Sequence, residues 1–119
     1  MKIYTSYFAK AKKIPLTISP ISISLSSPKG YSGLEYKQLA PTYEILNAWK
    51  QEYNQEKYIE AFQKEILSRL DPHKVYQQLY ALTGGRDCVL LCYEKSQDFC
   101  HRHLVAAWLN EAGYDVKEY

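Results

Sequence analysis

Alternating apolar and polar positions predict strands near both ends of the chain. Residues 2–7 are rich in β-branched and aromatic side chains, which favours a short opening strand. In residues 16–25 isoleucine alternates with serine or threonine, as in a strand with one buried face. Because Pro20 cannot donate a ladder hydrogen bond, we expect that strand to begin after it or to lie at a sheet edge. Residues 87–93 are largely apolar without alternation, which is typical of a strand covered on both faces, and a last short strand follows around Val116.

Apolar residues at helical spacing predict four helices, three of them in the middle of the chain. After a loop over residues 26–41, Thr42 can cap the first helix. The second carries its apolar stripe between residues 59 and 70. The third begins with Asp71 as N-cap, followed by a first-turn proline, and it stops at a pair of glycines. The last helix is predicted from about residue 99 to residue 112.

This order of elements predicts the fold class. Strands come first, helices follow, and the chain closes with a strand–helix–strand unit. We therefore expect residues 1–119 to form a single α/β domain, a small three-layer domain with a short, mainly parallel sheet and a C-terminal βαβ unit. A chain of 119 residues is long enough to bury an ordinary core.

Composition and charge exclude few classes of function. Hydrophobic residues make up 46% of the chain and charged residues 24%, and the net charge of +2 is too small to demand a nucleic acid partner. Twelve tyrosines permit a nucleotide ligand, because phenol rings stack on bases, but they do not require one. The sequence has neither a secretory signal nor a run of about 20 apolar residues, and its three cysteines do not resemble a disulfide scaffold. We therefore predict a cytoplasmic protein with reduced thiols and no membrane partner.

The densest set of reactive side chains follows the last long strand. Cys92 and Glu94 lie at the carboxyl end of that strand. After a short polar turn, the next helix begins with Cys100, His101 and Arg102. Open α/β sheets place their chemistry in the crevice beyond the carboxyl ends of their strands. The pattern therefore predicts a catalytic site at this position.

Each of these five side chains suits a definite role. His101 continues the apolar stripe of its helix backward, so it should face the sheet edge, and the positive helix end should keep it neutral and able to accept a proton. Cys100, at a helix start beside Arg102, is a candidate thiolate nucleophile, and Cys92 is a second candidate. Arg102 and the unpaired N–H groups of the first turn suit an anion. Glu94 can act as an acid or base, or it can hold a ribose hydroxyl.

Structural roles compete with these catalytic ones. Cys92 and Cys100 can fill space in the core, and His101 can cap its helix. Glu94 can belong to a structural ion pair. No metal is predicted, because adjacent helical residues diverge by about 100°, so that Cys100 and His101 cannot both ligate easily. A Cys92–Cys100 disulfide is disfavoured in a reducing compartment. No cofactor is predicted, since no Gly-rich dinucleotide fingerprint or phosphate-binding loop is present.

Two further segments can reach the substrate. Lys29 and Tyr31 lie in the basic, aromatic loop, which can cover a ligand or contact a nucleic acid backbone, or can simply fold onto the core. If the opening strand runs parallel to the later apolar strand, the hydroxyls of Ser6 and Tyr7 reach the same crevice. We therefore add Lys29, Tyr31, Ser6 and Tyr7 to Arg102 as candidate substrate-binding residues.

The segment Leu90-Leu-Cys-Tyr-Glu94, followed by Phe99-Cys-His-Arg102, resembles the signature of domain of unknown function 488, a family of bacterial and phage proteins. The opening strand and the helix after Cys-His-Arg are similar too, so the likeness spans nearly the whole chain. The resemblance implies a compact α/β fold with an active site built from this motif, but no particular reaction. Many members have an arginine after the second strand, where this chain has serines, with Lys29 as the nearest cation.

These features favour an intracellular hydrolase or transferase that acts on an anionic substrate, such as a nucleotide or a group derived from nucleic acid. One alternative is a non-catalytic module that binds a nucleotide or a nucleic acid, and it predicts steep salt dependence of binding. Another is a protein-interaction domain of bacterial or phage origin, in which the Cys-His-Arg segment only caps a helix. The sequence leaves the oligomeric state open.

Overall fold

The computed structural model describes residues 1–94 and 99–119, and its strands form one five-stranded sheet. The strands are β1 (Ile3–Tyr7), β2 (Ser19–Ser22), β3 (Leu34–Glu35), β4 (Cys88–Cys92) and β5 (Lys117–Glu118). Their order across the sheet is β3-β2-β4-β1-β5, and each neighbouring pair runs parallel. The predicted α/β class and the mainly parallel sheet are confirmed, and so is the strand–helix–strand unit at the end of the chain.

β4 is the central strand, and it is buried over its whole length. It pairs with β1, where Tyr7 lies beside Cys92, and with β2, where Ser22 lies beside Leu91. A strand with parallel neighbours and cover on both faces needs apolar residues at successive positions, which explains its lack of polar alternation. The carboxyl ends of β1, β2 and β4 consequently lie side by side at one edge of the sheet.

β2 differs from the prediction in the position of its proline. The strand begins at Ser19, includes Pro20 and lies between β3 and β4 rather than at an edge. The Ser19 amide donates to the Asp87 carbonyl at 2.8 Å, so by alternation the nitrogen of Pro20 faces the β3 side. There the pairing with β3 starts only at Ile21. The proline is therefore tolerated because no neighbouring carbonyl needs its missing donor.

Four α-helices and three short 3-10 segments complete the described structure. The α-helices are α1 (Tyr43–Glu52), α2 (Gln55–Glu65), α3 (Pro72–Thr83) and α4 (His101–Glu111). The 3-10 segments are Phe8–Lys13, Lys37–Leu39 and Leu67–Arg69. The predicted caps are present: the Thr42 hydroxyl accepts a hydrogen bond from the Ile45 amide at 3.2 Å, and the Asp71 carboxylate accepts one from the His73 amide at 2.9 Å. The local chemistry of the chain thus fixes where α1 and α3 begin.

The two faces of the sheet are covered unequally. The larger core cluster joins Leu90 of β4 to residues of all four α-helices, among them Phe62 and Leu109. The smaller cluster lies on the opposite face, where Val89 contacts residues of the 3-10 segment Phe8–Lys13 and of the neighbouring loops. The third layer therefore consists of a 3-10 segment and loops, and all four α-helices lie on one side.

The connections leave a crevice at the carboxyl edge of the sheet. β2 and β4 are neighbours, but the chain leaves β2 toward β3 at one end of the sheet and leaves β4 toward β5 at the other. Such a change of direction between adjacent strands opens a crevice outside their carboxyl ends. Among the described residues, no helix has the length and apolar character that crossing a membrane requires.

Candidate functional site

A cavity of about 500 Å³ occupies this crevice. Cys100 and His101, at the start of α4, form its buried floor, while Ser24 after β2 and Glu94 after β4 line its sides. The largest further share of the lining comes from α1, including Trp49, and α2 contributes Tyr58. A cavity of this size and position is typical of a site for one small molecule.

His101 is held in a fixed tautomer at the floor of the cavity. The residue is only 5% exposed, and its Nε2 lies 2.7 Å from the carbonyl oxygen of Ile23. Because a carbonyl oxygen only accepts, Nε2 must carry the proton, which leaves the lone pair on Nδ1. Burial, together with the smaller effect of the Arg102 charge, lowers the pKa of His101 to about 4, although the hydrogen bond to the Ile23 carbonyl acts in the opposite direction. The imidazole is therefore neutral near pH 7, and burial is the main cause.

Cys100 lies directly beside this lone pair. Its Sγ is 3.6 Å from Nδ1 of His101. The residue is the N-cap of α4, with an extended backbone at φ −152° and ψ 147°, and its own side chain makes no capping hydrogen bond. Since Cys100 precedes the helix, the angular divergence of adjacent helical residues does not separate it from His101. A thiol at this position can donate its proton to Nδ1.

The structure joins Cys92 and Cys100 through a disulfide, eight residues apart in the chain. This bond was disfavoured because reduced thiols were expected, and the pairing of the two sulfurs differs from that expectation. The reason is local, because the extended N-cap directs the Cys100 side chain back to the end of β4. Neither sulfur can act as a nucleophile in this form, and reduction returns both to thiols.

Cys92, Cys100 and His101 also form a set of potential metal ligands. Their donor atoms lie within 4.8 Å of one another, and all three residues are buried. Two thiolates with one imidazole are typical ligands of zinc, and a histidine that ligates through one nitrogen usually donates the other N–H to a carbonyl or carboxylate. The geometric reason given against zinc in the sequence analysis is therefore wrong, because Cys100 does not belong to the helix.

Arg102 is fully buried and directs its donors to the protein. Its Nη1 donates to the Cys92 sulfur at 2.9 Å and to the Glu94 carbonyl oxygen at 2.6 Å. Its Nε and Nη2 donate to the Glu118 carboxylate at 3.0–3.3 Å, and the guanidinium carbon lies 5.8 Å from the centre of the Tyr7 ring. The guanidinium that was expected to bind a substrate anion thus holds the end of β4 and the end of β5.

The reason for this arrangement is tertiary. β5 pairs with β1, and this pairing brings Glu118 to the site, where it also accepts a hydrogen bond of 2.6 Å from the Thr5 hydroxyl. The sequence around Arg102 does not indicate that its partner is a carboxylate sixteen residues later in the chain. A buried guanidinium without such a partner would be costly, so the pairing fixes its orientation.

Glu94 remains at the open side of the cavity. Its carboxylate is exposed and lines the cavity, while its backbone carbonyl accepts the hydrogen bond from Arg102. Burial and then the charge of Glu94 raise the pKa of Tyr58 above its usual range. Glu94 is therefore close enough to influence groups inside the cavity, as an acid or base must be.

The other predicted substrate-binding residues lie elsewhere. Lys29 and Tyr31 line a separate cavity of about 470 Å³ on the side of the sheet with the 3-10 layer, where the Tyr31 hydroxyl donates to the Leu34 carbonyl at 2.7 Å. Ser6 is fully buried and alternates onto the same side, away from Cys92. Tyr7 lies near the site, with its ring against the guanidinium of Arg102. None of these four residues lines the cavity above His101.

An aromatic wall completes the site, and the sequence analysis did not assign it to function. Its rings belong to Trp49, Tyr58 and Phe99, and all three line the cavity. The Phe99 ring centre lies 5.0 Å from both the Trp49 and the Tyr58 ring centres, and the Trp49 and Tyr58 centres are 5.8 Å apart. Trp49 lies at helical spacing from other apolar residues of α1, and such periodicity alone does not separate a core face from a cavity wall.

Comparison with known proteins yields one family. A family model described as the active DUF488-N3 subclade, DUF488-N3a, matches residues 12–113. This range contains β2, β3, β4 and all four α-helices, together with Cys92, Cys100, His101 and Arg102. No curated protein and no solved structure was found to match the chain.

Proposed function

Because the chain belongs to the DUF488-N3a family, a subclade of the domain of unknown function 488 that its motif predicted, we propose that it is a thiol-dependent hydrolase or transferase with Cys100 as nucleophile and His101 as general base. The observation that carries this proposal is the 3.6 Å approach of the Cys100 sulfur to the unprotonated Nδ1 of a neutral, buried imidazole at the floor of a cavity. The description of the family as an active subclade supports catalysis over the non-catalytic alternatives.

The chemistry is a two-step substitution by the reduced enzyme. In the first step, the Cys100 sulfur forms a bond to an electrophilic carbon or phosphorus of the substrate, and its proton passes to Nδ1 of His101. The bond to the leaving group breaks, and the leaving group takes the bonding pair and that proton. In the second step, His101 takes a proton from water or from an acceptor alcohol, whose oxygen displaces sulfur and restores the thiol. An imidazole with a low pKa suits this sequence, since it accepts the proton only while the new bond to sulfur forms and releases it readily.

Arg102 acts as a positioning residue in this mechanism. Its guanidinium donates to the Cys92 sulfur and to the Glu94 carbonyl oxygen, and so holds the segment from Cys92 to Glu94 beside Cys100. The disulfide between the two cysteines makes catalysis dependent on a reductant, which must convert the pair back to two thiols. Glu94, at the open side of the cavity, is the second candidate acid or base.

Two positive features of the cavity support an anionic substrate, and Glu94 at its open side is the one acidic side chain in the described lining. Lys50 is an exposed cation in the lining, and the first turn of α4, whose N-cap side chain makes no capping hydrogen bond, presents the positive end of the helix to the floor. These groups take over the anion-binding role that the sequence analysis gave to Arg102.

A zinc centre is the second candidate function, and the convergence of three donor atoms within 4.8 Å favours it. In that case Cys92 and Cys100 would be permanently ligated thiolates, and Cys100 would not be a nucleophile. The two candidates separate cleanly. A zinc protein purified under reducing conditions contains one equivalent of metal and resists alkylation, whereas the enzyme contains none and is alkylated at Cys100.

The test uses a generic electrophile, p-nitrophenyl acetate, with the reduced full-length chain. We expect a burst of nitrophenolate close to one equivalent, followed by slower turnover, and a transient acetyl group on Cys100 by intact mass and peptide mapping. Cys100→Ser should abolish the burst, and Cys88→Ala should keep it, because Cys88 is buried in the core of β4. An equal burst from Cys100→Ser would refute the proposal.

A further inference from the structure

We infer that the cavity binds a mononucleotide, with a purine ring against the aromatic wall and its phosphate near Lys50. The inference deepens the proposed function and rests on it only for the identity of this cavity as the substrate site. The wall is the cluster of Trp49, Tyr58 and Phe99 defined above.

The rings of the aromatic wall suit a flat heteroaromatic ligand. Trp49 and Tyr58 meet at 77°, Tyr58 and Phe99 at 89°, and Trp49 and Phe99 at 46°. No two of these three rings stack in parallel, and Tyr58 is buried, whereas Trp49 and Phe99 are partly exposed. Bases bind to partly exposed aromatic rings by stacking, and this contact tolerates every base because each has a π-face.

One stripe of α1 supplies the polar half of the recognition. Tyr43, Asn47 and Lys50 follow one another at helical spacings of four and three residues, and all three line the cavity and are exposed. The Asn47 amide offers one donor group and one acceptor, and the edge of an adenine presents the complementary acceptor and donor. Lys50 lies one turn further along and supplies the positive charge for a phosphate. One face of α1 can therefore contact both the base edge and the phosphate.

The dimensions and charge of the site favour a mononucleotide over a nucleic acid strand. The cavity volume of about 500 Å³ falls within the usual range for sites that take one small ligand. Lys50 is the only Lys or Arg side chain in its described lining, whereas sites for single strands follow the backbone with several cations. The reactive floor is also deep, since Cys100 and His101 are no more than 5% exposed. A ligand must therefore enter the cavity, rather than lie across its mouth, to reach Cys100.

The experiment measures equilibrium binding with Cys100→Ser, which cannot form the covalent intermediate or the disulfide. Isothermal titration calorimetry compares adenosine 5′-monophosphate with adenosine, ribose 5-phosphate, inorganic phosphate and a short single-stranded oligonucleotide. We expect adenosine 5′-monophosphate to bind most tightly and adenosine to bind at least about tenfold more weakly. Ribose 5-phosphate and inorganic phosphate, which carry no base, should show no measurable binding. Circular dichroism checks that each variant remains folded.

Single substitutions then test the two halves of the site. Trp49→Leu should weaken binding of the mononucleotide by about tenfold or more, because a stacking contact is lost. Lys50→Met should make adenosine 5′-monophosphate and adenosine bind equally, while Lys64→Met, on the exposed side of α2, should change nothing. Three results would overturn the inference. Ribose 5-phosphate could bind as tightly as the mononucleotide, or folded Trp49→Leu could bind the mononucleotide with wild-type affinity. The third is an oligonucleotide that binds more tightly than the mononucleotide.

Failure of this inference and failure of the proposed function are distinguishable. Mononucleotide binding by Cys100→Ser without any burst in the reduced wild-type chain supports the ligand class and removes the catalytic role. A burst at Cys100 without selective mononucleotide binding supports the catalytic thiol and removes the ligand class.

Discussion

Replacing Glu118 by glutamine tests whether the buried ion pair with Arg102 organises the site. The substitution keeps the shape of the side chain but removes the charge that faces a guanidinium with no exposed surface. The Glu118 carboxylate accepts bonds from Arg102 at 3.0–3.3 Å, and its side chain is 29% exposed. Removing one partner of a buried pair costs about 3–5 kcal/mol, and partial exposure of Glu118 reduces the loss, so we expect Glu118→Gln to lower the free energy of unfolding by about 2–3 kcal/mol.

The assay is urea denaturation of the reduced protein, so that the disulfide does not contribute. A double variant, Glu118→Gln with Arg102→Met, removes the cation that the first substitution leaves uncompensated. It should therefore be about 1 kcal/mol more stable than Glu118→Gln alone. Glu111→Gln, on the exposed side of α4, is the matched control and should change stability by less than about 0.5 kcal/mol. A loss below about 0.5 kcal/mol for Glu118→Gln, or a double variant less stable than the single one, refutes the reasoning.

Three further predictions concern His101 and the thiols. Since burial lowers the pKa of His101 from 6.5 to about 4, the unfolded chain binds this proton at a higher pH, so His101 contributes stability above about pH 6.5 that is lost as the pH falls to about 4. The free energy of unfolding should fall by up to about 3 kcal/mol relative to His101→Gln, whose amide can still donate to the Ile23 carbonyl. Equal pH dependence of the unfolding free energy in the two proteins, measured with denaturant, would contradict this. Burial raises the pKa of Cys88 to about 12, so a thiol-reactive disulfide dye should label Cys88 only after unfolding. Labelling of Cys88 in the native protein at pH 8 would contradict this prediction. Cys92→Ala should keep the burst without added reductant, whereas the wild-type chain should lose it after oxidation, and continued dependence on reductant would argue against the disulfide as the cause.

The features predicted correctly are those set by local chemistry. The caps at Thr42 and Asp71 act on amides two or three residues away, so the sequence contains both partners. The unbroken apolar run of β4 follows from its central place in a parallel sheet. The joint position of Cys92, Cys100 and His101 follows from the rule that strand ends and the next helix start share one edge.

The features that were not predicted depend on distant partners. The position of Glu118 depends on the pairing of β5 with β1, so the sequence around Arg102 could not reveal that its donors were already used. Pro20 fits inside β2 only because β3 pairs from the next residue onward. Trp49 packs against the core and also lines the cavity because α1 lies over the crevice, and helical periodicity does not reveal this second role.

The central claim is that the Nδ1 lone pair of His101 activates Cys100, and the rate of alkylation tests it most directly. Reduced wild-type protein and reduced His101→Gln are treated with iodoacetamide at pH 7, and the modified fraction of Cys100 is followed by peptide mass spectrometry. Glutamine can keep the hydrogen bond to the Ile23 carbonyl but offers no basic nitrogen to the sulfur. We expect Cys100 to react at least about tenfold faster in the wild-type protein than in His101→Gln. Equal rates in two folded proteins would contradict it.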